Sequence, residues 1–176
     1  MEASERLRLF LGYRLSDGVV DSLAAWQEQE LRGRIVPPGN LHVTLAFLGH
    51  RPSTELPAIL GVLERAAGAA AVPVFEVAGY RETRSVGMLT LRDQTDSAAD
   101  LAGRLHEELA ALGVYEPENR PWLPHVTVVR FRERPRLRPA LPEVGPIVTS
   151  DAAAFLSRLH PSGARYEVLK SFPLGG

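Results

Sequence analysis

The sequence predicts a mixed α/β chain built as two similar lobes. Three observations carry that expectation. Strand-like and helix-like stretches alternate along the chain, the tripeptide His-Val-Thr is written twice, and the order strand, helix, motif strand precedes each copy. The copies, His42–Thr44 and His125–Thr127, lie about half the chain apart. They are read as a duplication within one domain, residues 1–176, made of two interleaved pseudo-repeat lobes.

The elements follow in order. "RLRLFLGYRL", Arg6 to Leu15, alternates as a strand, and Ser16 and Asp17 offer helix N-caps. Val19, Val20, Leu23, Trp26 and Leu31 recur near helical spacing up to Gly33. "IVPPGN" is a turn into the first motif strand, "NLHVTLAFLG". A second helix is expected from Thr54 to Ala70 with Leu56, Ile59, Leu60 and Leu63 inward, then strands Val74 to Tyr80 and Val86 to Arg92. A third helix, Ser97 to Leu112, carries Leu101, Leu105 and Leu109 on one face and ends at Gly113. The second motif strand, "LPHVTVVRF", follows "ENRPW", and the tail offers "AAAFLSRLH" and "RYEVLKSFPL" as strands joined through "PSGA".

Composition narrows the chemistry. A hydrophobic fraction of 45% and a charged fraction of 23% over 176 residues are those of an ordinary globular chain. No apolar run approaches the ~20 residues a spanning helix needs. "MEASERLRLFLGYRL" lacks the pattern of a secretory leader, so a cytoplasmic address is expected, and since nothing in the composition requires a partner to fold, a monomer. The absence of cysteine excludes disulfides, thiolate nucleophiles, iron–sulfur clusters and sulfur-ligated zinc. A net charge of −1 removes the broad basic field of duplex-coating proteins. The five arginines of "RFRERPRLR", Arg130, Arg132, Arg134, Arg136 and Arg138, read as a solvated loop.

The motif spacing has a direct consequence. Strand side chains alternate faces, so His42 and Thr44 point one way while Val43, Leu45 and Phe47 point the other. His125 and Thr127 stand in the same relation to Val126 and Val128. Lobes facing one another about a pseudo-twofold axis bring two imidazoles and two hydroxyls into one cleft, which is what a reaction needing an acid and a base requires. Two histidines without a nearby carboxylate or cysteine are a poor zinc set, so no metal and no other cofactor is expected. His50, His106 and His160 are read as surface residues.

"RLFLGYRLSDGVVDSL", "VPPGNLHVTLAFLG", "RPWLPHVTVVRF" and "LSRLHPSGARYEVLKSFPL" resemble the RNA 2',3'-cyclic phosphodiesterases, or 2'-5' RNA ligase family, of the 2H phosphoesterase superfamily. The resemblance implies an α+β fold of two pseudo-symmetric α/β lobes with antiparallel sheets enclosing a central cleft. It implies metal-independent hydrolysis of RNA 2',3'-cyclic phosphate ends to 2'-phosphates, with 2'-5' ligation as the reverse direction. Partners would be such RNA ends, tRNA halves among them, or small cyclic nucleotides. Alternatives are a non-catalytic RNA-end-binding module and a related enzyme acting on ADP-ribose cyclic phosphate or 2'-5' oligonucleotides.

By the same resemblance His42 is the general acid and His125 the general base. Thr44 and Thr127 hydrogen-bond the phosphate oxygens, and Arg130 binds the phosphate. Strict alternation puts Arg130 on the opposite face from His125, so a bulge or the strand's end has to redirect it. Phe10 and Phe131, both near motif strands, are read as candidates to stack on a base, with core packing as the alternative for each. The family often carries lysine where this chain has Ala46, so a basic contact on that side would be missing or supplied elsewhere.

Overall fold

The computed structural model describes residues 5–175. Residues 1–4, part of the stretch read for a leader, lie outside them. Strand β1 (Arg6–Arg14) leads into helix α1 (Asp17–Glu30), whose first turn is capped by the Ser16 hydroxyl accepting the Val19 N–H. A two-residue strand, β2 (Arg34–Ile35), and a short 3-10 turn at Pro38–Asn40 precede β3 (His42–Pro52), the first motif strand. Helix α2 (Leu56–Ala69) and the hairpin of β4 (Val74–Glu82) and β5 (Val86–Asp93) follow. Helix α3 (Ser97–Ala111) begins where the Asp93 carboxylate accepts the Ala98 N–H at 2.8 Å, and ends at Gly113, whose φ of 76° suits a left-handed stop. The second motif strand is β6 (His125–Arg130). Then come β7 (Ile147–Val148) and a closing hairpin of β8 (Asp151–Arg158) and β9 (Arg165–Pro173).

Two antiparallel sheets result, in strand orders β3-β1-β8-β9 and β2-β6-β5-β4-β7. The first is stitched from both ends of the chain, the second from its middle. The short β2 and β7 carry too few residues to show a period, so the sequence had no signal for them. Helices α2 and α3 pack on one another and on the first sheet, α2 against β8 and β9 and α3 against β3. Helix α1 leans on the second sheet, where the buried Gln27 amide donates to the carbonyls of Val36 and Val128 at 3.1 and 2.8 Å. A continuous apolar core runs from Leu9, Leu11 and Tyr13 through Ile59 and Leu63 to Leu105, Val126 and Val129.

The two motif strands share an irregularity. In β3 the pairing with β1 passes from Gly12↔Thr44 to Leu11↔Ala46, leaving Leu45 as an extra residue. In β6 the pairing with β5 passes from Met88↔Thr127 to Gly87↔Val129, leaving Val128 extra. Both bulges fall on the third residue after the histidine and reverse the alternation beyond it. Leu45 and Ala46 are consequently both buried, as are Val128 and Val129.

Candidate active site

A cleft of about 410 Å³ opens between the two sheets. His42, Thr44, His125, Thr127, Arg130 and Phe10 all line it, so six of the seven residues expected at the site converge there. Its other walls come from Arg8, Arg34, Asn40, Phe47, Tyr166 and the β8–β9 turn at Ser162–Ala164. Among the described residues no carboxylate lines it. A separate open groove beside the Arg14–Asp151 ion pair holds neither motif.

His42 is fixed at both ring nitrogens. Nδ1 lies 2.8 Å from the Asn40 carbonyl oxygen, which can only accept, so Nδ1 carries the proton. Nε2 then accepts from the Thr44 hydroxyl at 2.7 Å. The ring rests 4.6 Å from Phe10, with Tyr166 edge-on at 5.4 Å. Burial lowers its pKa most; the bond to Asn40 works the other way, and the charges of His125 and Arg130 lower it again, to about 4. At neutral pH the free site therefore holds a neutral imidazole at position 42.

His125 repeats half of that arrangement. Its Nδ1 donates to the carbonyl of Leu123, two residues back, at 2.9 Å, as His42 does to Asn40. The Thr127 hydroxyl has no hydrogen-bond partner among the described residues, so the two threonines are not equivalent. A direct tie joins the motif segments: the Trp122 indole N–H donates to the Thr44 carbonyl at 3.0 Å, covering an otherwise open edge of β3.

The bulges decide what else faces the cleft. Beyond Val128 the alternation is reversed, and Arg130 emerges beside Thr127 instead of behind it. Beyond Leu45 the same reversal brings out Phe47, which was expected on the core side but is 48% exposed and lines the cleft. The fifth residue after each histidine is thus an aromatic ring in one motif and a guanidinium in the other. The Arg8 guanidinium lies 5.0 Å from the Phe47 ring centroid and is held by the Ser157 hydroxyl at 2.8 Å.

Other expectations need correction. Phe10 reaches the cleft but is only 3% exposed, its ring stacked on Phe155 and set against His42, so it seats the imidazole and has no face free for a base. Phe131 packs on the apolar core and is absent from the cleft walls. His106 is half-buried, bonded to the Leu45 carbonyl at 2.7 Å and stacked on Tyr115, whereas His50 and His160 are exposed as expected. Ala46 is buried in the core, so its side chain has no access to the cleft. The arginine loop is tethered: burial alone would raise the Glu82 carboxyl, but bonds from Tyr80, Leu137 and Arg134 outweigh it and hold that carboxyl below its ordinary range.

Asn40 went unremarked in the sequence. Its amide grips the β8–β9 hairpin, donating to the Ala164 carbonyl at 2.7 Å and accepting the Tyr166 N–H at 3.2 Å, while its own carbonyl orients His42. The only available signal was its place two residues before a motif histidine.

Residues 16–160 match the family model described as the 2'-5' RNA ligase superfamily. The chain belongs to that superfamily. Among relatives of this 2'-5' RNA ligase superfamily member, the RNA 2',3'-cyclic phosphodiesterase of Thermus thermophilus is 31% identical, over 97% of this chain and 91% of that protein. The Escherichia coli protein of the same name is 33% identical over 72% and 73%. A crystal structure of a Thermus thermophilus protein superposes with a TM-score of 0.83 at 30% identity, covering 97% of this chain and 99% of that one. The α+β architecture with two antiparallel sheets is that of these neighbours. Among the described residues no helix is long and apolar enough to cross a membrane, and no three His, Asp or Glu side chains group as metal ligands.

Proposed function

We propose that the protein hydrolyses 2',3'-cyclic phosphate ends of RNA to 2'-phosphates by paired-histidine catalysis without a metal. The observation that carries this reading is the convergence of both His-Val-Thr motifs, with Arg130, on one cleft that has no carboxylate among its described walls. Relatives of similar length named for this activity support it.

In the reaction His125 takes a proton from water as its oxygen bonds to phosphorus, and the P–O3' bond breaks. His42 delivers a proton to O3', leaving a 3'-hydroxyl and a 2'-phosphate. Thr127, Thr44 and Arg130 hydrogen-bond the non-bridging oxygens. His42 is neutral in the free site, held so chiefly by burial, so it becomes an acid only after the phosphate anion enters and favours its charged form. Phe47, backed by Arg8, is the face on which the terminal base stacks.

The test is incubation of the purified protein with a short RNA ending in a 2',3'-cyclic phosphate, in EDTA, with the terminal phosphate identified afterwards. Conversion to a 2'-phosphate is expected. An intact cyclic phosphate, a 3'-phosphate product, or turnover only after added zinc or manganese would overturn the proposal.

A further inference from the structure

Resting on that reading, we propose that Arg34, beside Arg130, forms a second anion subsite that takes a phosphate group of the substrate other than the cyclic one. The position of Arg34 is set by the fold. Strand β2 is only two residues long, and its pairing with β6 sets Arg34 directly opposite Arg130. Directly paired residues in an antiparallel ladder project from the same face with Cβ atoms about 5 Å apart. Both side chains are exposed and both line the cleft. The bulge at Val128 is what puts Arg130 on that face.

Like charges set directly opposite one another on a sheet repel. Here nothing nearby relieves them: among the described residues neither Arg34 nor Arg130 takes part in an ion pair, and no acidic side chain lines the cleft. A cyclic phosphodiester brings a single negative charge. The cleft offers it Arg130, with Arg8 engaged against Phe47 and Ser157. One guanidinium is therefore left over, that of Arg34. Its Nη2 lies at the β8–β9 turn, 3.4 Å from where a Cβ on Gly163 would stand, and that turn also lines the cleft. A planar guanidinium placed there can meet a second phosphate with two parallel hydrogen bonds.

The second phosphate is either the diester joining the terminal nucleotide to the one before it or a free 5'-phosphate on a mononucleotide. Three substrates separate these sources: a nucleoside 2',3'-cyclic phosphate with a 5'-hydroxyl, the same compound with a 5'-phosphate, and a dinucleotide ending in the cyclic phosphate. The wild-type protein should favour at least one phosphate-bearing substrate over the 5'-hydroxyl compound by about 10- to 100-fold in kcat/KM, the range of a charge-assisted bond. The preferred compound names the source. Arg34→Ala should reduce that preference to about threefold or less while leaving the 5'-hydroxyl compound within about threefold of wild type. Arg34→Lys should restore part of it.

Equal wild-type rates on all three substrates, or an Arg34→Ala loss that is the same for each, would overturn the subsite. Calorimetric affinities of adenosine 2'-monophosphate and adenosine 2',5'-bisphosphate for wild type and Arg34→Ala test it without turnover. If no cyclic phosphate is cleaved but the bisphosphate binds more tightly and loses that advantage in the variant, the subsite stands and the proposed reaction falls. If the bisphosphate has no advantage, the subsite for a free 5'-phosphate falls.

Discussion

The Thr44 hydroxyl and the His42 imidazole are bonded to each other across 2.7 Å, whereas Thr127 is free of any such bond among the described residues. The two motifs are alike in sequence and different in their resting state.

That asymmetry sets the first expectation. Thr127→Val removes a hydrogen bond to a charged phosphate, roughly 1.5–3 kcal/mol, and should lower kcat/KM by about 10- to 150-fold. Thr44 has to give up its bond to Nε2 before it can serve the phosphate, and that neutral bond is worth about 1 kcal/mol. Thr44→Val should therefore lower kcat/KM only about 3- to 30-fold. Both keep the β-branched shape that the strands accept, so melting temperatures should stay near wild type. Steady-state kinetics and thermal unfolding on the two variants decide it: equal losses, or a larger loss for Thr44→Val, would show that the resting bond has no bearing on catalysis.

His42 links the site to acid stability. Its folded pKa of about 4 lies below the ordinary 6.5, so its contribution to stability is complete above 6.5 and is lost as pH falls toward 4. In that window the unfolded chain binds the proton and the folded chain does not. The loss at pH 4.5 relative to pH 7 is about 2–3 kcal/mol for this group. His42→Asn, which cannot titrate, should flatten that part of the profile. Urea unfolding of both proteins at the two pH values measures it, and identical pH dependence would show that His42 titrates normally. The same depressed pKa should give the bell-shaped pH profile of kcat/KM an acid limb near 4.

Proton uptake distinguishes the roles of the histidines. An acid that is neutral at rest must gain a proton when the anion binds, so a non-hydrolysable phosphate analogue should bind near pH 7 with uptake of up to about one proton. Calorimetry in buffers of different ionisation enthalpy reads this directly. Binding without uptake would favour His42 as the base and His125 as the acid.

How far the sequence could anticipate this site follows from the bulges. A period of two assigns His42, Thr44, His125 and Thr127 to their face because the ladder is regular across each motif. Past Leu45 and Val128 the count fails by one residue, and Phe47 and Arg130 end up opposite to where parity puts them. Family resemblance, with a bulge invoked, assigns Arg130 to the cleft. Phe47 has no such help, and the role it could fill falls instead to Phe10. A bulge depends on which residues the partner strand offers, here the glycines Gly12 and Gly87, and that is a tertiary fact. Asn40 was hidden for a related reason, since the hairpin it grips lies some 124 residues away in the chain.

Asn40 should be sensitive to its exact chemistry. Asn40→Ala removes both bonds to the hairpin and leaves the Ala164 carbonyl and the Tyr166 N–H without that partner, at about 1–3 kcal/mol for each part-buried group. Asn40→Asp keeps an acceptor for Tyr166 but sets a carboxylate oxygen against the Ala164 carbonyl and brings a negative charge near His42. That charge should raise the His42 pKa above 4, toward its ordinary value. The two variants are therefore expected to lose similar stability but to differ in the acid limb of kcat/KM, which moves upward only in Asn40→Asp. An unchanged limb in both would reduce Asn40 to a structural clamp.

Gly12 gives the sharpest packing test. It pairs with Thr44 at the bulge, and a Cβ placed on it would stand 2.6 Å from the Val43 carbonyl oxygen and 3.4 Å from Cδ2 of His42. The first contact is strand backbone, paired with β1, and cannot yield cheaply. Overpacking of this kind typically costs about 1–3 kcal/mol. Relief by sliding β1 away from β3 would carry the His42 ring off Phe10 and lengthen its bonds to Asn40 and Thr44. Gly12→Ala should therefore lose activity beyond what its stability loss accounts for, because at 25 °C a protein destabilised by that amount is still mostly folded. Gly39→Ala, where an added Cβ meets nothing within 4 Å, is the matched control in the turn before β3. Denaturant unfolding with kcat/KM on the folded fraction separates the two effects, and a Gly12→Ala protein with wild-type kcat/KM would show that His42 keeps its place without the glycine.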